Sequence, residues 1–180
     1  MNQAEREALH RKASDAEEVL VVDETDHVIG TTSRARLRTE HLIGRGTFIF
    51  LLNGKGELCV HQRTLSKALY PGFWDVCAGG MVGAFETYAQ SAERELAEEL
   101  GITDAPLTFH GTLRFESVDN NLWCGVFSAV SDQALSPQPE EVLQAKFIAL
   151  HELSLWLSQN KVCPDSLKAM ALVPQLANYL

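Results

Sequence analysis

The hydrophobic and polar positions divide the chain into short β-type runs, one well-marked central helix and helical segments at both ends. Residues 18–22 and 28–32 are rich in Val, Ile and Thr and flank the turn signal Asp26-His27, which predicts a hairpin. A second hairpin is predicted from residues 47–52 and 57–62, joined through Asn53-Gly54, the strongest short turn signal. Residues 66–81 are irregular, with Pro71-Gly72 and Gly79-Gly80, and imply a loop or short strand. Residues 88–100 have helical periodicity. Thr87 with Gln90 makes a capping box at the start, and Gly101 is a natural stop. Strands follow at 107–113, 122–130 and 145–150, then helices at 151–159 and 166–180, the last interrupted by Pro174. Residues 4–17 read as a polar helix. This order of elements predicts an α/β or α+β sandwich.

Bulk properties narrow the function classes. With 180 residues, 46% hydrophobic and 22% charged, one domain with a real core is expected. A net charge of −9 with only 15 scattered Lys and Arg argues against a nucleic-acid-binding face. Such a protein can still bind phosphates if a divalent cation supplies the positive charge. Cys59, Cys77, Cys124 and Cys163 lie far apart, without zinc spacing, and read as single thiols in a reduced interior. The first 18 residues are too polar for a signal peptide, and no apolar run reaches membrane-span length. The expectation is a cytoplasmic protein without membrane partners.

The central helix carries the chemistry. At about 100° per residue, Glu95, Glu98 and Glu99 share roughly one third of its circumference, while Ala89, Ala92, Leu96 and Leu100 form a separate apolar face. Like charges so close repel each other. Arg94, four residues before Glu98, offsets one, and a hard cation such as magnesium would offset the others. An E-x-x-E-E run by itself is most often a solvated acidic face. Here it follows Gly80 and Glu86 at set intervals: Gly80, five residues, Glu86, seven residues, Arg94-Glu95-Leu96, one residue, Glu98-Glu99, one residue, Gly101-Ile102. This matches the signature of the Nudix hydrolases, G-x5-E-x7-R-E-U-x-E-E-x-G-U with U aliphatic, at every specified position. The likeness extends to His61-Gln62-Arg63-Thr64, Lys67 and residues 71–75 before the box, and to residues 141–153 after it, covering about residues 45–155.

The resemblance implies an α/β/α sandwich around a mixed sheet, with residues 1–44 as an N-terminal extension (helix plus β-hairpin) and 45–180 as the Nudix domain. It also implies magnesium, with manganese as an alternative, held by Glu95, Glu98 and Glu99 and by the Gly79 carbonyl. The same glutamates are the candidates for orienting or deprotonating water. Arg94 matches the arginine that steadies the carboxylates, and Glu86 braces the loop. Arg63 and Lys67 match positions that face substrate phosphates; Trp123 and Glu141 are further substrate-site candidates. The implied activity is hydrolysis of a phosphoanhydride bond in a small diphosphate, a nucleoside diphosphate linked to a second group. Phe85 departs from the glycine many members carry before the box glutamate.

Residues 65–74 also resemble isopentenyl-diphosphate isomerases, a Nudix-fold branch that shifts a double bond, and Cys77 lies near that branch's catalytic cysteine. The remaining set is absent: Ala78-Gly79-Gly80 follows Cys77 where the isomerases have Gly-His-Pro, and Asn120-Asn121-Leu122-Trp123-Cys124 stands in place of their second acidic motif. The sequence therefore reads as a hydrolase from the branch nearest the isomerases. The competing readings are isomerase-like chemistry and a catalytically silent Nudix-fold binding module, the second disfavoured because every box glutamate is present. Whether two chains pair as a homodimer is left open by the sequence. The histidines lack metal-ligand spacing and read as surface or hydrogen-bonded structure.

Overall fold

A computed structural model describes residues 2–180. The elements run α1 (Gln3–Ala16), β1 (Glu18–Val22), β2 (Val28–Ser33), α2 (Arg34–Thr39), β3 (Gly44–Leu52), β4 (Leu58–Arg63), β5 (Trp74–Asp75), β6 (Ala78–Met81), α3 (Tyr88–Leu100), β7 (Leu107–Glu116), β8 (Asn121–Val130), β9 (Val142–Ile148), α4 (Leu150–Gln159) and α5 (Pro164–Met170). The nine strands form one mixed sheet.

β3 organises that sheet. It runs parallel to β8 from Gly44↔Leu122 to Leu52↔Val130, and antiparallel to β6 from Gly46↔Met81 to Ile49↔Ala78. Alternation along β3 then sorts the core into two layers. Ile49 and Leu51 pack with Ala92, Leu96 and Leu100 of α3. Phe50 and Leu52 belong to the opposite cluster, with Leu153 of α4 and Ala169 and Met170 of α5. Helices on both faces of a mixed sheet make the α/β/α sandwich that the resemblance implies. No helix among the described residues is long and apolar enough to cross a membrane.

Three local expectations need revision. The Asn53-Gly54 turn forms, yet β3 and β4 pair there only at Leu52↔Leu58; β4 runs instead along β9 from Leu58↔Ile148 to Arg63↔Val142. The turn sets adjacency, whereas side-chain burial sets the lasting partners. The last helix ends at Met170, followed by turns and a short 3-10 segment at Ala177–Tyr179. Pro174 lacks the N–H that would bond the Met170 carbonyl, so the helix cannot run through it. The six-residue helix α2, capped by the Ser33 hydroxyl accepting the Arg36 N–H at 3.3 Å, was not expected. The two N-terminal strands add an edge to the same sheet: β1 pairs with β2 and meets β3 at Val21↔Gly44.

Candidate active site

The loop and helix of the signature are held by local chemistry. The Thr87 hydroxyl accepts the Gln90 N–H at 3.3 Å, and the Gln90 side chain accepts the Thr87 N–H at 2.9 Å. At the other end, Gly101 takes φ 73°, the left-handed conformation that favours glycine, and ends the helix. The apolar face of α3 is therefore locked on the sheet, and its acidic face is turned toward β6.

Close approach of α3 to β6 explains Gly79-Gly80. A Cβ at Gly80 would collide with the Glu95 carboxylate, and one at Gly79 with the Thr47 carbonyl and the Phe48 ring. The Gly79 N–H donates to Glu99 Oε2 at 2.9 Å. Arg94 donates to Glu86 through Nε at 2.7 Å and Nη2 at 2.9 Å, a bidentate pair. Its Nη1 reaches Glu95 Oε1 at 2.8 Å and Glu98 Oε2 at 3.0 Å. Glu86 also accepts the Gly83 N–H at 3.0 Å, tying the loop to the helix. The Arg94 hydrogen bonds hold the Glu86 carboxyl below its usual range, despite the opposing effect of burial.

The remaining carboxylates lie deeper. Glu99 is 1% exposed, and its Oε1 has no hydrogen-bond partner among the described residues. The nearest cation is Lys67 Nζ at 3.6 Å, beyond hydrogen-bond length. Lys67 is engaged by Glu141, and His61 Nε2 lies 4.0 Å from Glu99 Oε2. Burial pushes the His61 imidazole down to about 4, so it stands neutral beside the glutamate. Burial likewise raises the Glu95 and Glu99 carboxyls, with the Arg94 and Lys67 charges opposing it respectively. Burial acts in the same sense on Glu141, but there the Lys67 ammonium prevails and the carboxyl is lowered.

Three hollows with shared lining residues flank this cluster, one of them, of about 80 Å³, lined by Arg63, Lys67, Glu141 and α1. Another, of about 260 Å³, is lined by Gly79, Gly80, Arg94, Glu95, Glu98 and Glu141 on one side and by α1 on the other. A smaller inner hollow of about 70 Å³ is lined by Phe48, Arg63, Tyr70, Asp75, Asn120 and Asp165, among others. Gly79, Gly80 and Arg34 border these last two. Arg63 braces this wall, donating to Asp75 at 3.3 Å and, from Nε and Nη2, to the Leu69 carbonyl at 3.2 Å.

The fold thus brings Glu86, Arg94, Glu95, Glu98, Glu99, Gly79, Lys67 and Glu141 together, with Arg63 adjoining. Trp123 lies apart: it sits on β8, cross-strand from Arg114 and Arg45, and lines none of these hollows. Sequence reasoning missed His10, Arg34, Asp75 and Asp165, which border the cleft or its inner extension. Asp75 was visible only as part of the run before the box; no sequence pattern marked the other three.

Relatives of the chain share its domain and its fold. Residues 42–170 match the family model for the NUDIX domain. The uncharacterized Nudix hydrolase PA4841 of Pseudomonas aeruginosa is 58% identical over 164 residues, spanning 91% of this chain and 96% of that protein. The uncharacterized Nudix hydrolase YfcD of Escherichia coli K12 is 37% identical over 162 residues, spanning 90% and 89%. The crystal structure of DR0079 from Deinococcus radiodurans superposes with a TM-score of 0.72 at 25% identity, covering 85% of this chain and 97% of that one. The chain belongs to the Nudix hydrolase family, which acts on phosphoanhydride bonds.

Proposed function

We propose that the protein is a magnesium-dependent pyrophosphohydrolase, also served by manganese, that cleaves a nucleoside diphosphate linked to a second group. The observation that carries this reading is the Glu99 carboxylate, buried beside Glu95 with one oxygen lacking any donor. As an anion this carboxylate is destabilised by burial, Lys67 at 3.6 Å offsets only part of that cost, and a further cation would complete it. No three acidic, His or Cys groups among the described residues already stand in a metal-holding arrangement. Arg94 and Lys67 instead supply the positive charge, Arg94 drawing Glu95 and Glu98 to one nitrogen. The all-oxygen donor set of Glu95, Glu98, Glu99 and the Gly79 carbonyl suits a hard divalent ion.

When bound, such a cation neutralises the diphosphate and lowers the pKa of water. The protein's own residues do the rest. Arg94 and Glu86 keep the acidic helix face in register with the loop, and Gly79 orients Glu99 through its N–H. Lys67 and Arg63 border the cleft as cations for substrate phosphates, and Glu141 positions the Lys67 ammonium. Glu95, Glu98 and Glu99 are the carboxylates that would stand within reach of water on such a cation and could orient it or accept its proton. The likeness of residues 65–74 to the isomerases is compatible with a branch near theirs, but the residues of the isomerase acid and base are absent. Cys77 is buried, and burial raises its thiol far above its ordinary value, which suits packing rather than proton transfer.

The test is phosphate release from a panel of nucleotide sugars, dinucleoside polyphosphates, deoxynucleotides and isoprenoid diphosphates, with and without magnesium. Metal-dependent release that collapses in Glu98→Gln and Glu99→Gln is expected. Undiminished release in both variants overturns the metal-helix assignment.

A further inference from the structure

The N-terminal helix α1 lies across the cleft, although it precedes the family match at residues 42–170. None of its residues is buried, so no hydrophobic contact holds it there. Polar contacts pin it at both ends. Toward its start, Gln3 Nε2 donates to the Pro139 carbonyl at 2.7 Å, and Arg6 lies 3.4 Å from Glu140. Toward its end, Asp15 pairs with Arg38, and Ser14 Oγ accepts from Arg34 Nη1 at 3.0 Å. Between the pins, His10 Nε2 stands 3.2 Å from Glu141, the partner of Lys67.

The helix lines one side of the space over the acidic cluster. His10, Ala13 and Ser14 form the outer wall of the hollow whose inner wall is Gly79, Gly80, Glu95 and Glu98. That hollow holds about 260 Å³, below the roughly 300–1,000 Å³ typical of pockets that enclose drug-sized ligands. A nucleoside diphosphate carrying a second group would reach beyond this hollow, toward the neighbouring hollows or solvent, while α1 keeps this position. Ion pairs at the surface are weak and screened by salt, so a helix held by them and by a few side-chain hydrogen bonds is readily released.

We propose that α1 is a lid of the substrate site: it swings away to admit a diphosphate and closes over the bound phosphates, so that it selects substrates by size. Arg34 borders all three hollows, and its Nε and Nη2 make no hydrogen bond among the described residues, leaving two donors for a phosphate as the lid closes. The inference rests on the hydrolase reading for the nature of the substrate, but not for the motion.

Hydrogen exchange on the full chain tests the motion, with magnesium imidodiphosphate as the probe. Amides of residues 3–16 are expected to exchange much faster than those of α3, to slow by about tenfold with the probe and to speed up in roughly 1 M salt. Exchange in α1 as slow as in α3, and indifferent to the probe, overturns the lid. Size selection is read from the ratio of kcat/KM for a dinucleoside polyphosphate to that for a nucleotide sugar. A variant lacking residues 2–16, or an Arg6→Gln/Arg38→Gln double variant should the deletion not fold, is expected to shift this ratio about tenfold or more toward the bulkier substrate. An unchanged ratio overturns the selective role. Absence of turnover by wild type would defeat the hydrolase reading, while the exchange experiment would still decide the lid.

Discussion

Glu99 accepts the backbone N–H of Gly79 through Oε2 at 2.9 Å, while its Oε1 is buried without a donor. One oxygen is thus spoken for by the β6 strand, and on the proposed reading the other would take a cation. Glu99→Gln keeps the size and can keep the Gly79 contact, but it removes the charge. We expect kcat to fall by on the order of 100-fold or more. The metal-free variant should melt no lower than wild type, since a carboxyl that burial disfavours as an anion is replaced by a neutral amide of the same size. Steady-state kinetics beside thermal melting in chelator checks both; a large drop in melting temperature with full activity would contradict the assignment.

Gly80 faces the Glu95 carboxylate so closely that an added methyl must displace it. For Gly80→Ala we expect a loss of about 1–3 kcal/mol from overpacking, with a matching loss of metal-dependent activity. Denaturant unfolding measures the first. A fully stable, fully active alanine variant would mean that α3 and β6 sit farther apart.

The Arg94–Glu86 pair uses two nitrogens of one guanidinium, and a third reaches Glu95 and Glu98. Lysine offers a single point charge and cannot span these acceptors. Arg94→Lys should therefore weaken magnesium affinity and activity by roughly 10–100-fold, as loss of a carboxylate-orienting partner does in metal sites. Titrating magnesium against melting temperature in both proteins shows it, because a ligand bound only to the folded state raises stability by mass action.

The proton affinities of the cluster set a pH dependence. Burial, first against Arg94 and then against Lys67, raises Glu95 and Glu99 above the ordinary carboxyl range. The folded metal-free protein then binds more protons than the unfolded chain, so these groups contribute most below the ordinary glutamate pKa and lose that contribution as pH rises through the raised values. Glu141 has the opposite sign: its lowered pKa contributes stability above the ordinary range, lost as pH falls. Melting temperature in chelator should decline from about pH 5 to about pH 8 relative to a Glu95→Gln/Glu99→Gln variant. Saturating magnesium should remove much of that decline. A flat difference between the two proteins would show that the carboxylates are not strained by burial.

The sequence by itself determined the parts whose causes are local. The helix from Tyr88 to Leu100 begins at the Thr87–Gln90 box and ends at left-handed Gly101, all within one stretch of chain. The spacing from Gly80 to Ile102 likewise marked which carboxylates share a helix face, because helical periodicity alone sets it. Only the tertiary structure decided what those carboxylates face. Glu99 meets Gly79, Lys67 and His61 across 20, 32 and 38 positions of chain because β3 gathers β6 and β8 along its edges and α3 packs across them. The same long-range pairing gives β4 its register along β9, while the turn leaves it only the Leu52↔Leu58 pair with β3. Least legible of all was the place of α1 beside the cleft. Its polar sequence contains no buried face to reveal where it lies, and only the positions of Pro139, Glu140, Glu141, Arg34 and Arg38 give its side chains partners.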